Sequence, residues 1–155
     1  MTTNRKAFLD MIAHSEIGQA LLDVSDNGYN VIVGSTAQHP DLFNSYADHP
    51  RKLVRLNAKL SSTAAGRYQL LARYFDVYKK QLDLNDFAYY SQDTIALQQI
   101  KECHALDDID AGNFASAVAK CAHIWASLPS AGYGQHENSL ALLQKAYTDA
   151  GGTLA

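Results

Sequence analysis

Ser25-Asp26-Asn27-Gly28, followed by Tyr29-Asn30-Val31-Ile32-Val33-Gly34, is the stretch on which the fold class turns. The first four residues are small or polar and end on glycine, which marks a turn. The next six place three β-branched residues behind an aromatic one and stop at a second glycine, the pattern of a short strand. On its N-terminal side, Phe8, Met11, Ile12 and Ser15 recur at helical spacing. With Thr2, Thr3 or Asn4 as caps, residues 4–16 read as a helix whose end is marked by Gly18. The apolar run Ile17 to Val24 suits one further helical turn. On its C-terminal side, the polar run from Ser35 to Asn57 suits hairpins and loops.

Beyond that region the pattern is helical. After Ser61-Ser62-Thr63, the residues Leu70, Leu71, Tyr74, Phe75 and Tyr78 form one apolar stripe, and Gly66-Arg67-Tyr68-Gln69-Leu70 opens that helix. Ser91 is placed to cap the next, with Asp93 in its first turn and Leu97 and Ile100 towards the core. Asn113 is placed to cap a third, which carries Phe114, Ala117, Val118, Cys121, Ile124, Trp125 and Leu128 up to Pro129. The last runs from Ser139 to Ala150 and is closed by Gly151 and Gly152. The expected class is α+β, mostly helical with a small β region, in a single domain over residues 1–155.

Composition limits the partners. A chain that is 47% hydrophobic and 19% charged buries a core unaided, and a net charge of −3 provides no broad basic field for nucleic acid or anionic lipid. Asp10 interrupts the apolar run after Arg5 and Lys6 before it reaches signal-peptide length, and no stretch is long enough to span a bilayer. The expectation is a cytoplasmic, monomeric protein without membrane insertion. Cys103 and Cys121 are too few for a disulfide framework or a metal finger, and either a mutual bond or two free thiols fits them. His14, His39, His49, His104, His123 and His136 are scattered without a metal-ligand spacing, and no phosphate loop or nucleophile elbow is present. No cofactor is expected.

Three places are suited to chemistry. Glu16 lies four residues after Ile12 and eight after Phe8, on the side of the buried stripe if the helix reaches it. Desolvation and the negative end of a helix dipole would both keep such a carboxyl protonated, as a general acid requires. A solvated helix-end glutamate fits the same spacing. Gly66 to Gln69 suits a turn that lines a sugar subsite, or a helix start with a capping amide. Ala131-Gly132-Tyr133-Gly134-Gln135 combines glycines, a ring and an amide, as in a lip closing over carbohydrate or an ordinary helix connection.

Longer runs carry a resemblance. Arg5-Lys6-Ala7-Phe8-Leu9-Asp10-Met11 leading to Ser15-Glu16, then Gly28-Tyr29 with Val31 to Gly34, Asp48 to Val54, Gly66 to Leu71, Ala96 to Glu102 and Ile124 to Pro129 occur in this order. Together they resemble the phage endolysins of the lambda lysozyme kind over nearly the whole chain. The resemblance implies a lysozyme-like fold with a small antiparallel sheet and a cleft between two lips, here residues 50–62 and 129–138. It implies a lytic transglycosylase that cleaves the bond between N-acetylmuramic acid and N-acetylglucosamine, leaves 1,6-anhydromuramyl ends, and lyses the host. Glu16 matches the catalytic glutamate, and Asn30, Tyr46, Arg67, Tyr68, Gln69, Tyr133 and Gln135 are implied to bind substrate. The implied partners are peptidoglycan glycan strands and a holin, which releases the enzyme to the periplasm.

The chain departs from the family pattern at several points. Asn30 stands where the pattern has an aspartate, so no acid role transfers there; His14 and His136 replace aromatic residues near Glu16 and the second lip. Residues 17–27 differ in length and are more apolar. A hydrolytic muramidase, with Asp26, Asp41 or Asp48 as second carboxylate, and a non-catalytic glycan-binding protein are the alternatives.

Overall fold

The computed structural model describes residues 1–132 and 136–155. Its contacts divide the chain into two units, Met1–Glu16 with Ala96–Ala155, and Ile17–Ile95. The elements in chain order are α1 (Thr3–Ile17), α2 (Gln19–Asp23), β1 (Val54–Arg55), β2 (Ser61–Ser62), α3 (Ala72–Gln81), α4 (Tyr89–Glu102), α5 (Leu106–Ala111), α6 (Phe114–Cys121) and α7 (Leu140–Asp149).

In the first unit α1 is buried on most of its circumference. Ala7, Leu9 and Ala13 are covered as well as the expected Phe8, Met11 and Ile12. Each large side chain so buried contributes about 1.5–3 kcal/mol. Phe8 meets the edge of Phe114 from α6, whose ring lies 4.8 Å from that of Tyr147 on α7. The last helix starts where expected, and Ser139 proves to be its cap, accepting the Leu142 N–H. Helix α6 stops at Cys121 rather than running to Pro129. The following residues descend in turns, with Ile124 and Trp125 N–H groups both directed at the Cys121 carbonyl. Trp125 and Leu128 still reach the core, so their apolar spacing reflected burial and not a continued helix. The short helix α5, with Asp107 and Asp108 in its first turn, had no counterpart in the sequence reading.

In the second unit the expected strand from Tyr29 to Gly34 reduces to single bridges. Val31 pairs with Leu42 and Ile32 with Ala65, so the partner changes between neighbouring residues. Val31 and Ile32 are both buried, which uses opposite faces of extended chain at once, and left-handed turns at Gly28 and Gly34 bound the segment. The sheet that does form is the two-stranded antiparallel pair β1 and β2, with Val54 opposite Ser62 and Arg55 opposite Ser61.

Gly66 to Gln69 is a tight hairpin loop, not the first turn of a helix. Ala65 and Leu70 exchange both backbone hydrogen bonds across it, at 3.1 and 2.9 Å, and α3 begins only at Ala72. Ile32, Ala65, Leu70, Phe75, Phe87 and Ile95 form this unit's core. Tyr74, expected in the apolar stripe, is exposed; Phe75 alone on α3 is fully covered. Ser91 lies inside α4. Asp86 organises the approach to that helix by accepting the Ala88 N–H and the Ser91 hydroxyl. His49 is a core histidine: its Nε2 is 2.8 Å from the Leu70 carbonyl, its ring packs on Phe75 and Phe87, and burial lowers its pKa.

Candidate active site

Glu16 occupies the last turn of α1, where the unsatisfied carbonyl ends of the helix disfavour a second negative charge. Its side chain is half-buried, and desolvation raises its pKa to about 7. A hydrogen bond with Ser127 acts in the opposite sense and limits the rise. A carboxyl with that pKa both donates and accepts a proton readily near neutrality.

The surroundings of Glu16 within the first unit are polar and mutually tied. Ser15 and Ser127 hydroxyls are 2.8 Å apart, and Asn138 Nδ2 donates to the Ser15 hydroxyl at 3.1 Å and to its carbonyl at 3.2 Å. The Asn138 N–H in turn donates to the Ser127 carbonyl at 2.8 Å. Buried Trp125 and Leu128 anchor Ser127 from both sides along the chain. The Glu137 carboxylate accepts the backbone N–H groups of Ser130 and Gly132. Ser127→Ala removes the contact that favours the ionised form, so the Glu16 pKa rises further. Expected is an alkaline displacement of the descending limb of the activity profile, read from rates between pH 5 and 9.

The second unit holds a separate array of aromatic and charged groups. The Asp93 carboxylate accepts hydroxyls from Tyr29 at 2.9 Å and Tyr68 at 2.6 Å. Arg67 Nη1 donates to the Tyr68 hydroxyl and its Nε to the Asn27 carbonyl, both at 3.0 Å, while its guanidinium lies over the rings of Tyr29 and Tyr68. Burial is the main cause that pushes Tyr29 up to about 12 and Tyr68 well above its ordinary value, so both hydroxyls stay protonated donors. The Asp26 carboxylate accepts hydroxyls from Tyr46 and Tyr89. The rings of Tyr29 and Tyr89 are 4.4 Å apart.

Glu16 thus lies in the first unit, and Asn30, Tyr46, Arg67, Tyr68 and Gln69 in the second. Arg67 and Tyr68 are each only 5% exposed, with their polar atoms directed inwards. Gln69 is half-buried in a left-handed conformation, φ 52°, and its amide donates to the Gly66 carbonyl. Asn30 closes the preceding turn by accepting the Asp26 N–H at 2.9 Å. Tyr133 and Gln135 lie outside the described residues. Of the aspartates weighed as a second acid, Asp26 is engaged by two tyrosines, Asp41 by Lys52 and Asp48 by Arg51. Among the described residues no three His, Cys, Asp or Glu side chains gather as a metal site.

The sequence reading missed Ser127, Asn138, Tyr89 and Gln92. Ser127 and Asn138 are more than 100 positions from Ser15, and no local spacing announces such a pairing. Gln92 was equally silent: its Oε1 accepts the Arg67 N–H at 2.9 Å, and its Nε2 donates to the carbonyls of Phe87 and Tyr29. Asp93 was noticed for its helix position, whereas the fold uses it to hold two tyrosine hydroxyls.

Comparison with known proteins gives a consistent result. A family model described as Endolysin matches residues 6–154. The endolysin of Escherichia phage lambda is 53% identical over 99% of this chain and 95% of its own length. The endolysin of Escherichia phage P2 is 48% identical over 98% of this chain and 95% of its own. Bacteriophage lambda lysozyme in complex with a chitohexasaccharide superposes with a TM-score of 0.93 at 52% identity, covering 100% of this chain and 98% of that one. A second lysozyme structure from the same phage gives 0.89 at the same identity and coverage.

Proposed function

The chain belongs to the endolysin family, and from that premise we propose that it is a lytic transglycosylase, with Glu16 as its one catalytic acid and base. It is a phage endolysin with the lambda lysozyme fold that breaks down peptidoglycan. The observation that carries the finer reading is the state of the carboxylates. Among the described carboxyl groups Glu16 alone has a strongly raised pKa, while Asp26, Asp41 and Asp48 are committed to tyrosines or cations. Inverting hydrolysis needs a second free carboxylate to activate water, and retention ordinarily needs one as nucleophile. A transglycosylase needs neither.

Protonated Glu16 donates to the glycosidic oxygen between the N-acetylmuramic acid and N-acetylglucosamine residues, and the C1–O bond breaks. The muramyl acetamido group supports the oxocarbenium-like centre that forms. The Glu16 carboxylate then takes the proton of the muramyl C6 hydroxyl, whose oxygen bonds to C1. Glu16 is reprotonated, and a 1,6-anhydro ring results with no water consumed. A pKa near 7 suits a group that must give and then recover a proton within one turnover.

Asn30, Tyr46, Gln69, Tyr133 and Gln135 are assigned to glycan contact, and a relative that holds a chitohexasaccharide supports a β-1,4-linked glycan as ligand. Arg67 and Tyr68, being buried, are assigned to holding their segment in shape. The protein acts as a monomer, gathers in the host cytoplasm and reaches the periplasm by holin-dependent release. Mass spectrometry of digested peptidoglycan tests the chemistry. Transglycosylation gives muropeptides one water lighter than those with reducing ends, and a digest made mainly of reducing ends would overturn the reading.

A further inference from the structure

Cys103 follows α4 directly and Cys121 ends α6, and both side chains are buried in the first unit. The chain on both sides of Cys121 is held against the end of α4: Lys120 Nζ donates to the His104 carbonyl at 3.3 Å. His123 Nε2 lies 3.9 Å from the Cys103 sulfur. We propose that Cys103 and Cys121 form a reactive dithiol, a modification site that small-molecule disulfides oxidise to an intramolecular Cys103–Cys121 bond joining the ends of α4 and α6.

The two positions differ in the way exchange requires. Cys103 retains 9% of its surface and Cys121 none, so an incoming disulfide meets Cys103 first. Interaction with Cys121 also holds the Cys103 thiol below its usual range, whereas Cys121 is pushed up. Cys103 thiolate attacks one sulfur of the reagent RSSR, forming a mixed disulfide and expelling RS⁻. Cys121 then loses its proton and attacks the Cys103 sulfur, expelling the second RS⁻. The protein loses two hydrogens and two electrons, and RSSR is reduced to two RSH.

The bond would close a loop of about 20 residues that contains all of α5 and α6. It would also fix the point from which the chain descends to Ser127, the hydrogen-bond partner of Glu16. A reduced pair acting only as small apolar filler predicts none of this chemistry.

Treating the folded protein with oxidised glutathione, then denaturing it and counting thiols by maleimide labelling, tests the site. Expected is complete loss of both thiols, an intact mass lower by two hydrogens, reversal by dithiothreitol, and a rise in Tm of about 5–10 °C. Cys121→Ser should stop at a glutathione adduct on Cys103, and Cys103→Ser should leave the remaining thiol unmodified. Two thiols still countable after oxidation, a persistent adduct on the wild type, covalent dimers, or a bond that leaves Tm unchanged would each overturn the proposal.

Discussion

Glu16→Gln is expected to reduce the clearing of permeabilised Gram-negative cells by about a hundredfold to ten-thousandfold, the usual contribution of a positioned proton donor. The amide keeps the shape of the side chain but transfers no proton. The same substitution should make the protein more stable above neutral pH. In the unfolded chain this carboxyl ionises near its ordinary 4.5, whereas in the folded protein it does so at about 7. The native state therefore binds this proton more tightly. The resulting stabilisation is complete below about pH 4.5 and is lost as pH rises through 7. Glutamine carries no charge to desolvate, so at pH 8 the variant should gain on the order of 1–3 kcal/mol, the larger figure being reduced by partial exposure. Urea unfolding at pH 5 and pH 8 measures the difference. A variant that clears cells as fast as wild type would remove Glu16 from the mechanism. Equal stability changes at both pH values would remove its desolvated character.

Gly66→Ala should cost about 3–5 kcal/mol, enough to threaten folding of a domain this size. Three effects add. Gly66 has φ 84°, where a side chain costs about 1 kcal/mol. An added Cβ would sit 2.4 Å from Gln92 Oε1 and 2.9 Å from the Phe87 ring, an overpacking that costs about 1–3 kcal/mol. Displacing Gln92 Oε1 also loses the hydrogen bond that it accepts from the Arg67 N–H, at about 1 kcal/mol net. Thermal unfolding of the purified variant reads the effect. A loss below about 1 kcal/mol would show that Gln92 moves aside without consequence.

This glycine also marks how far local pattern reaches. Gly66-Arg67-Tyr68-Gln69 looked like a helix start because Leu70, Leu71, Phe75 and Tyr78 follow at helical spacing. Its actual form is a hairpin loop, decided by the Ala65–Leu70 pairing, by Gly66 against Gln92, and by Gln69 in a left-handed conformation. The strand expected at Tyr29 to Gly34 failed for a related reason. β-Branched composition favours extended chain but does not supply a continuous partner, and here the partner changes from Leu42 to Ala65 between adjacent residues. The third apolar run, Phe114 to Leu128, held buried residues apart from the exposed Ile124, but not one helix.

What the sequence determined by itself was therefore local and periodic: helix α1 and its end at Gly18, a last helix following Ser139, a largely helical chain with little sheet, and Glu16 near the end of α1. Each follows from contacts within a few residues, or from side-chain spacing around one helix. Only the tertiary structure decided the chemistry of that carboxyl, because desolvation and the Ser127 contact come from residues far along the chain. The same holds for the burial of Arg67 and Tyr68 beneath Asp93, and for the commitment of Asp26 to Tyr46 and Tyr89. Hydrogen bonds and low dielectric act over a few ångströms in space whatever the distance in sequence, so they are legible only once the chain has folded.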